Sequence, residues 1–484
     1  MERAFGAPGA VCAKKDGFVF KPYGEDRLDF SAGGGAFHEE HEWTYCVGHP
    51  EEAERGQEPC GDLFSPGWFS CDFAQDGKAC FSAAYLKDAQ ERMPAAYVEK
   101  REPVPLAMTI PDALARALDL FIVRRDDVKT VIAGYPWFLD WGRDTLIFLR
   151  GAIAAGKTDD ALKILVAFAR FEENGTLPNI IYGETAGNRD TVDAQLWFIL
   201  AVRDLAEKTG RKVLRADCGG RTLADVMESI VSNYVKGTPN GIRVDAASGL
   251  VWAPSHFTWM DTNYPACTPR HGYPVDIQAM WIASLRFLGG KWKDLAEKAA
   301  QSLVRLFAVG TAEGRYLCDC LDAPNGETAE DARQDPAIRP NQLFALALGA
   351  LPDGERELAS GILAATERLL VPGGIRSLAA GHPLYRGTYA GDEDTVRKPA
   401  YHNGTVWAWP FPLYAEALAE SGQASAKTAL SILSSSVENI NSGCLCHISE
   451  IADGNAPHAQ KGCRAQAWSE SELLRVWLKL SRPR

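Results

Sequence analysis

The sequence predicts a mainly α protein, about twelve helices closing into a ring, preceded by a short β-rich segment. Three observations carry this reading. Beyond residue 105 amphipathic segments recur, and short turns alternate between them with long polar loops. Before residue 100 the chain is instead rich in Gly, Cys and aromatic residues, with short strand-like runs. The composition is ordinary for a globular chain of 484 residues, 46% hydrophobic and 24% charged, which excludes general disorder and a fibre.

Gly17-Phe18-Val19-Phe20-Lys21 and Ala95-Ala96-Tyr97-Val98 read as strands. The stretch 100–105, with two prolines and three charges, breaks any regular element and reads as a linker. The expected domains are therefore 1–104, β-rich, and 105–484, helical. Thr109 with Asp112 opens the first helix, before the apolar period of Leu114, Ala117, Leu118 and Phe121. Thr158 precedes Asp159 and Asp160, acids suited to a positive helix N-terminus; Asp190 with Asp193, and Ser469 with Glu472, open two more. Helices are expected near 109–124, 143–156, 158–173, 190–208, 221–236 and 274–289, then near 293–308, 340–350, 355–370, 403–420, 424–438 and 468–481. Short turns pair these helices into hairpins. The long connections 174–189, 237–273, 309–339, 371–402 and 439–467 join the pairs.

The net charge of −12 argues against non-specific binding to nucleic acid or anionic lipid. No apolar run approaches the ~18 residues of a membrane span, and the N-terminus lacks an apolar signal region, so the expected location is the cytoplasm. Twelve cysteines without a CxxC read as buried reduced thiols; Cys318/Cys320 and Cys444/Cys446 are incomplete as a zinc signature. Nine scattered histidines, with neither HExxH nor HxxxH, lead us to expect no metal, and the absence of GxGxxG and GxSxG leaves carboxylates as the acid/base candidates. No cofactor is expected.

The long loops concentrate aromatic and acidic residues: GYPWFLDWGRD (134–144), TWMD (258–261), YHNGTVW (401–407) and QAWS (466–469). An apolar aromatic in a solvated loop costs free energy unless it packs or binds. Sugars offer flat C–H faces to indoles and hydroxyls to carboxylates and Arg, so Trp beside Asp and Arg suits a sugar site. Glu172 and Glu173, at a helix end, are expected to be solvated.

These segments, with LPN, DTVDAQLWFI, TPRHGYPVDIQAMW, IRPNQLFALAL, YHNGTVWAWP and ISEIADG…GCRAQAWSESELLR, resemble in order the C-terminal catalytic domain of the glycogen debranching enzyme family, the amylo-α-1,6-glucosidases. The resemblance spans 105–484 and implies an (α/α)6 toroid. Residues 40–73 resemble the end of the β-rich domain that precedes the toroid in this family. The implied activity is hydrolysis of α-1,6-linked glucose from glycogen-type or short branched α-glucans, with no nucleic acid or membrane as partner. The transferase half of the eukaryotic enzymes finds no counterpart, so the chain is expected to remove single glucoses or to rely on another enzyme to trim the branch. Residues 444–463 carry more Cys and His than the family pattern.

Carried over by motif, Asp261 matches the general acid and Glu450 the general base of an inverting pair. Such a pair needs one protonated carboxyl at the glycosidic oxygen and one carboxylate opposite, ~6.5–9.5 Å apart. Trp259 and Met260 are placed to desolvate Asp261 and raise its pKa. Arg143 and Asp144 match the grip on the terminal glucose, and Asp140, Trp141, Trp259, His402, Trp407 and Trp468 fall on matching motifs as pocket walls. Two alternatives remain: a related toroid enzyme of glucoamylase or trehalase type, and a non-catalytic glycan-binding protein on the same scaffold.

Overall fold

The computed structural model describes residues 10–21, 27–54, 57–72, 80–86, 108–125, 128–182, 185–262, 268–311 and 314–482. The expected strand at 95–98 and the linker at 100–105 lie outside the described residues. The chain divides into two compact units, Met1–Leu106 and Ala107–Arg484.

The first unit is built from antiparallel strands. β1 (Val11–Lys14), β2 (Gly17–Phe20), β3 (Arg27–Gly33) and β6 (Cys80–Leu86) form one sheet in the order β1-β2-β3-β6. The long hairpin of β4 (Gly35–Gly48) and β5 (Cys60–Cys71) forms a second, bulged near Glu39 and Thr44. A stack of Phe18, Phe30, Phe37 and Phe69, ring centroids 4.7–5.1 Å apart between neighbours, is its core. Cys12, Cys46 and Cys80 are exposed, against the expectation of buried thiols, because thin sheets leave one face to solvent.

In the second unit twelve principal helices follow in order: α1 (Ile110–Phe121), α2 (Gly142–Ala154), α3 (Thr158–Ala169), α4 (Ala194–Thr209), α5 (Leu223–Lys236), α6 (Val275–Leu288), α7 (Lys293–Phe307), α8 (Leu343–Ala347), α9 (Arg356–Glu367), α10 (Phe411–Glu420), α11 (Ala426–Leu433) and α12 (Ala467–Leu480). The even-numbered helices contact one another in a closed cycle, α2–α4–α6–α8–α10–α12–α2, and the odd-numbered ones pack outside them. Burial follows this division. α2, α6 and α12 are buried on nearly every face, whereas α1, α5 and α7 bury a single apolar stripe. Among the described residues no helix is long and apolar enough to cross a membrane.

Caps follow local chemistry. Thr109 accepts from the Asp112 amide at α1, and Thr222 with Asp225 forms a capping box at α5. Elsewhere the expected starts move. Asp190–Asp193 is loop rather than helix, with Asp193 at the N-cap of α4 and its carboxylate spent on Arg143 and Thr191. Residues 403–410 are also not helical: Val406–Trp407 pairs with Gly374–Arg376 and Ile451–Ala452, which holds that stretch extended until α10 begins. The segment Gly151–Thr158 satisfies the phosphate-loop pattern GxxxxGK[ST], yet it runs from inside α2 into α3 with no strand before it. Gly151 is there for packing, since a Cβ would lie 2.3 Å from the Ser471 carbonyl of α12.

Each long loop joins an outer helix to the next inner one, so these loops gather where the inner helices begin. The site forms there.

Candidate active site

A pocket with a cavity volume of about 120 Å³ opens at this end, lined by Phe138, Trp141, Arg143, Asp144, Trp259, Asp261, Tyr401, His402, Trp407, Glu450, Gln466 and Trp468. Of the ten residues expected at the site, nine line it. Asp140 does not. Its carboxylate is buried and accepts from Arg125 and Thr130 of the hairpin formed by Ile122–Arg125 and Val128–Val131, which takes it out of the pocket wall. Glu172 also departs from expectation: it is fully buried, pairs with Arg221 and accepts from the Gly175 amide and Ser229, while Glu173 is exposed.

The floor is aromatic. Trp259 meets Trp407 and Trp409 edge-on at 5.3 and 5.0 Å, His402 stacks on Trp407 at 5.2 Å, and Trp409 stacks on Trp468 at 5.2 Å. Burial and nearby guanidinium groups hold the His402 imidazole well below its ordinary pKa, so the ring is neutral at physiological pH. Its Nδ1 bonds Thr262, whereas His402 Nε2 and Trp468 Nε1 have no partner among the described residues. Buried polar atoms on a pocket wall are what a hydroxyl-bearing ligand satisfies.

Charge is arranged around this floor. Arg143, in the first turn of α2, donates from Nε to Asp193 (2.7 Å) and from Nη1 to Asp261 (2.9 Å). Asp261 lies deep in the unit yet keeps 39% of its side chain accessible to the pocket; burial pushes its pKa up, and Arg143 opposes that. The loop carrying it is pinned from behind. Arg270 bonds Thr258, Asp276 and Asp319, and Asn341 links Asp319 to the Trp259 indole at 2.7 and 2.8 Å. Asp144 accepts from Gln466 at 3.2 Å, and burial together with the charges of Glu450 and Asp261 outweighs Arg143 to push it up to about 8. Glu450 is buried and accepts from the Tyr401 hydroxyl and, at 3.0 Å, from the Cys463 amide. His447 Nδ1 and the Ile448 amide anchor its loop to Glu470 of α12 at 2.8 and 3.2 Å.

Tyr401, Gln466 and Phe138 were not singled out from sequence, although all three lie inside quoted motifs. A tyrosine in an aromatic-rich loop carries no signal of its own; only its contact with Glu450 sets it apart. Among the described residues no three His, Cys, Asp or Glu side chains gather to hold a metal ion. The arrangement is two pocket-facing carboxyls of separate loops, a third that burial pushes toward its protonated form, and one guanidinium over a stacking floor.

The chain is similar to known proteins in sequence and in fold. The family model described as amylo-alpha-1,6-glucosidase matches residues 116–475, and that described as glycogen debranching enzyme N terminal matches residues 4–79, a longer stretch than 40–73. The glycogen debranching enzyme of Saccharomyces cerevisiae is 24% identical, over 64% of this chain and 26% of the yeast protein, so the chain spans about a quarter of that relative. Among solved structures, a GH63 mannosylglycerate hydrolase from Thermus thermophilus in complex with glucose has a TM-score of 0.55 at 14% identity, covering 76% of this chain and 99% of that one. A glycosidase in complex with glucose has a TM-score of 0.53 at 14% identity, covering 77% and 97%. At such identity the likeness is one of fold, that of helical-toroid glycosidases.

Proposed function

The chain belongs to the amylo-alpha-1,6-glucosidase family, and from that premise we propose that it is a glycoside hydrolase releasing single α-1,6-linked glucoses from glycogen-type or short branched α-glucans. We read residues 105–484 as an (α/α)6 toroid of six helix pairs and the cytoplasm as its location; the eleven described cysteines, all unpaired, suit a reducing compartment. One observation carries the activity: Asp261 and Glu450, from loops far apart in sequence, line one aromatic pocket with Arg143 and Asp144.

In this reading a terminal glucose stacks on the Trp floor. His402 Nε2 and the Arg143–Asp144 pair hold its hydroxyls. Asp261, its pKa raised by burial, gives its proton to the leaving oxygen; Glu450 takes a proton from a water that attacks the anomeric carbon from the opposite face. One displacement inverts the anomer. Arg143 is more than a sugar clamp, because its bond to Asp261 also orients the acid.

The test is product analysis on a panel of α-glucosides, with NMR of the first-formed anomer. β-Glucose released from α-1,6 branches supports the reading. α-Glucose refutes inversion. Preferential release from linear α-1,4 chains or trehalose favours the glucoamylase- or trehalase-type alternative, and binding without turnover favours a glycan-binding protein.

A further inference from the structure

Glu450 stands on a loop, and a loop carboxylate needs outside support to hold one orientation. Support comes from two sides. The Cys463 amide reaches Oε2 at 3.0 Å, which Gly462 permits: its φ is +70°, and a Cβ there would lie 2.4 Å from that oxygen. From the other side the Tyr401 hydroxyl donates to Oε1.

Tyr401 is itself fixed at both ends. Its ring packs between Tyr389, His402 and Trp407, centroids 5.6, 4.7 and 4.9 Å away. Its carbonyl accepts from the Trp407 indole at 3.0 Å and from the Thr405 hydroxyl. The rotamer that delivers the phenol is therefore set by packing, independently of any ligand.

We propose that Tyr401 is a positioning residue for the reaction: its hydroxyl orients and keeps ionised the Glu450 carboxylate that activates water. This rests on the two-carboxylate reading above. A hydrogen bond to the charged form of a carboxylate favours that form. Such help matters here because Glu450 shares its pocket with Asp144 and Asp261, and a carboxylate that activates water must hold one orientation among them. Burial and the Glu450 charge push the Tyr401 phenol well up, so it stays a neutral donor and does not compete for the proton.

The experiment compares Tyr401→Phe, which keeps the ring, with the parent and with Glu450→Gln. We expect kcat to fall by about 10-fold or more while KM changes little, and the acidic limb of the kcat profile to move to higher pH by about one pH unit. The defect should persist on α-glucosyl fluoride, which departs without a proton, because water activation is what is impaired. Calorimetric titration with D-glucose should give parental affinity, showing a folded pocket. Parental kcat with an unmoved acidic limb overturns the proposal. Loss of glucose affinity alongside kcat also overturns it, assigning Tyr401 to the sugar or to the fold. If Glu450→Gln remains active, the two-carboxylate reading is what fails; if Glu450→Gln is inert while Tyr401→Phe matches the parent, only the tyrosine's role fails.

Discussion

α2 and α12 each carry two sets of polar side chains, and the sets behave in opposite ways. At their N-terminal ends Arg143, Asp144 and Gln466 belong to the pocket. Two to three turns further on, Arg150, Glu472 and Arg475 join Asp204 of α4 and Glu416 of α10 in a buried network. Arg475 bonds Glu416 at 2.9 and 2.6 Å and Glu472 at 2.8 Å through each of two nitrogens; Arg150 bonds Asp204 at 2.8 Å. Burial raises carboxyl pKa values in both places. In the pocket one guanidinium serves Asp144, Asp193 and Asp261 with Glu450 nearby, so burial wins and Asp144 rises to about 8. In the network Arg150, Arg203, Arg475 and Lys479 face three carboxylates, attraction wins, and Asp204 and Glu416 fall below the ordinary range. The ratio of cations to carboxyls, at similar burial, separates the pocket end, where a carboxyl is pushed toward its protonated form, from an end that locks four inner helices together.

The largest effect should come from removing Glu450, the proposed base. Glu450→Gln is expected to lose about 10³-fold or more in kcat with an unchanged melting curve; a variant with normal turnover would break the division by showing that the pocket charge is not chemical. Asp261→Asn should fail badly on poor leaving groups yet largely spare α-glucosyl fluoride, measured by initial rates on both.

Next comes the opposite cut. Arg475→Met removes the main partner of buried Glu416 and Glu472, leaving Lys479 and the more distant Arg150, and should cost about 3–5 kcal/mol in denaturant unfolding, with kcat of the surviving folded protein near parental. Parental stability would sink the structural assignment.

Arg143→Ala stands between the two, since Arg143 both pairs with buried Asp193 and touches Asp261. Lost transition-state binding should lower kcat and not only raise KM. A pure KM effect would reassign it to ground-state binding.

The smallest effect is the pH dependence of stability. Asp144 is raised in the folded state, so folding binds a proton the unfolded chain has released, and its stability contribution declines from about pH 4 to about 8. Asp144→Asn should therefore have little effect near pH 4 and stabilise increasingly toward pH 8. Asp204 and Glu416 are lowered, so their contribution is full above the unfolded carboxylate range and fades as pH falls through it; Glu416→Gln should lose its destabilising effect in acid. Melting curves from pH 3 to 9 check both slopes, and parallel slopes would erase the comparison.

Local order was determined by sequence alone. The caps at Thr109 and Thr222 and the apolar period of each helix are set by neighbours three or four residues away, and a helix lies within each expected segment, though it is cut short at 190–193, 340–350 and 403–410. The loops richest in Trp, Asp and Arg could be named as the candidate site because an apolar aromatic in a loop is a local anomaly. What the tertiary structure decided are matters of partnership across the chain. Residues 403–410 gave up helix for pairing with Gly374–Arg376 and Ile451–Ala452. Asp140 turned to Arg125 and Thr130, Glu172 was buried against Arg221, and Tyr401 became the partner of Glu450. The same side chain is a solvated acid, a structural ion or a chemical group according to burial and the charges that face it. Those are fixed only when segments hundreds of residues apart meet, since desolvation and Coulomb attraction depend on distance in space and not along the chain.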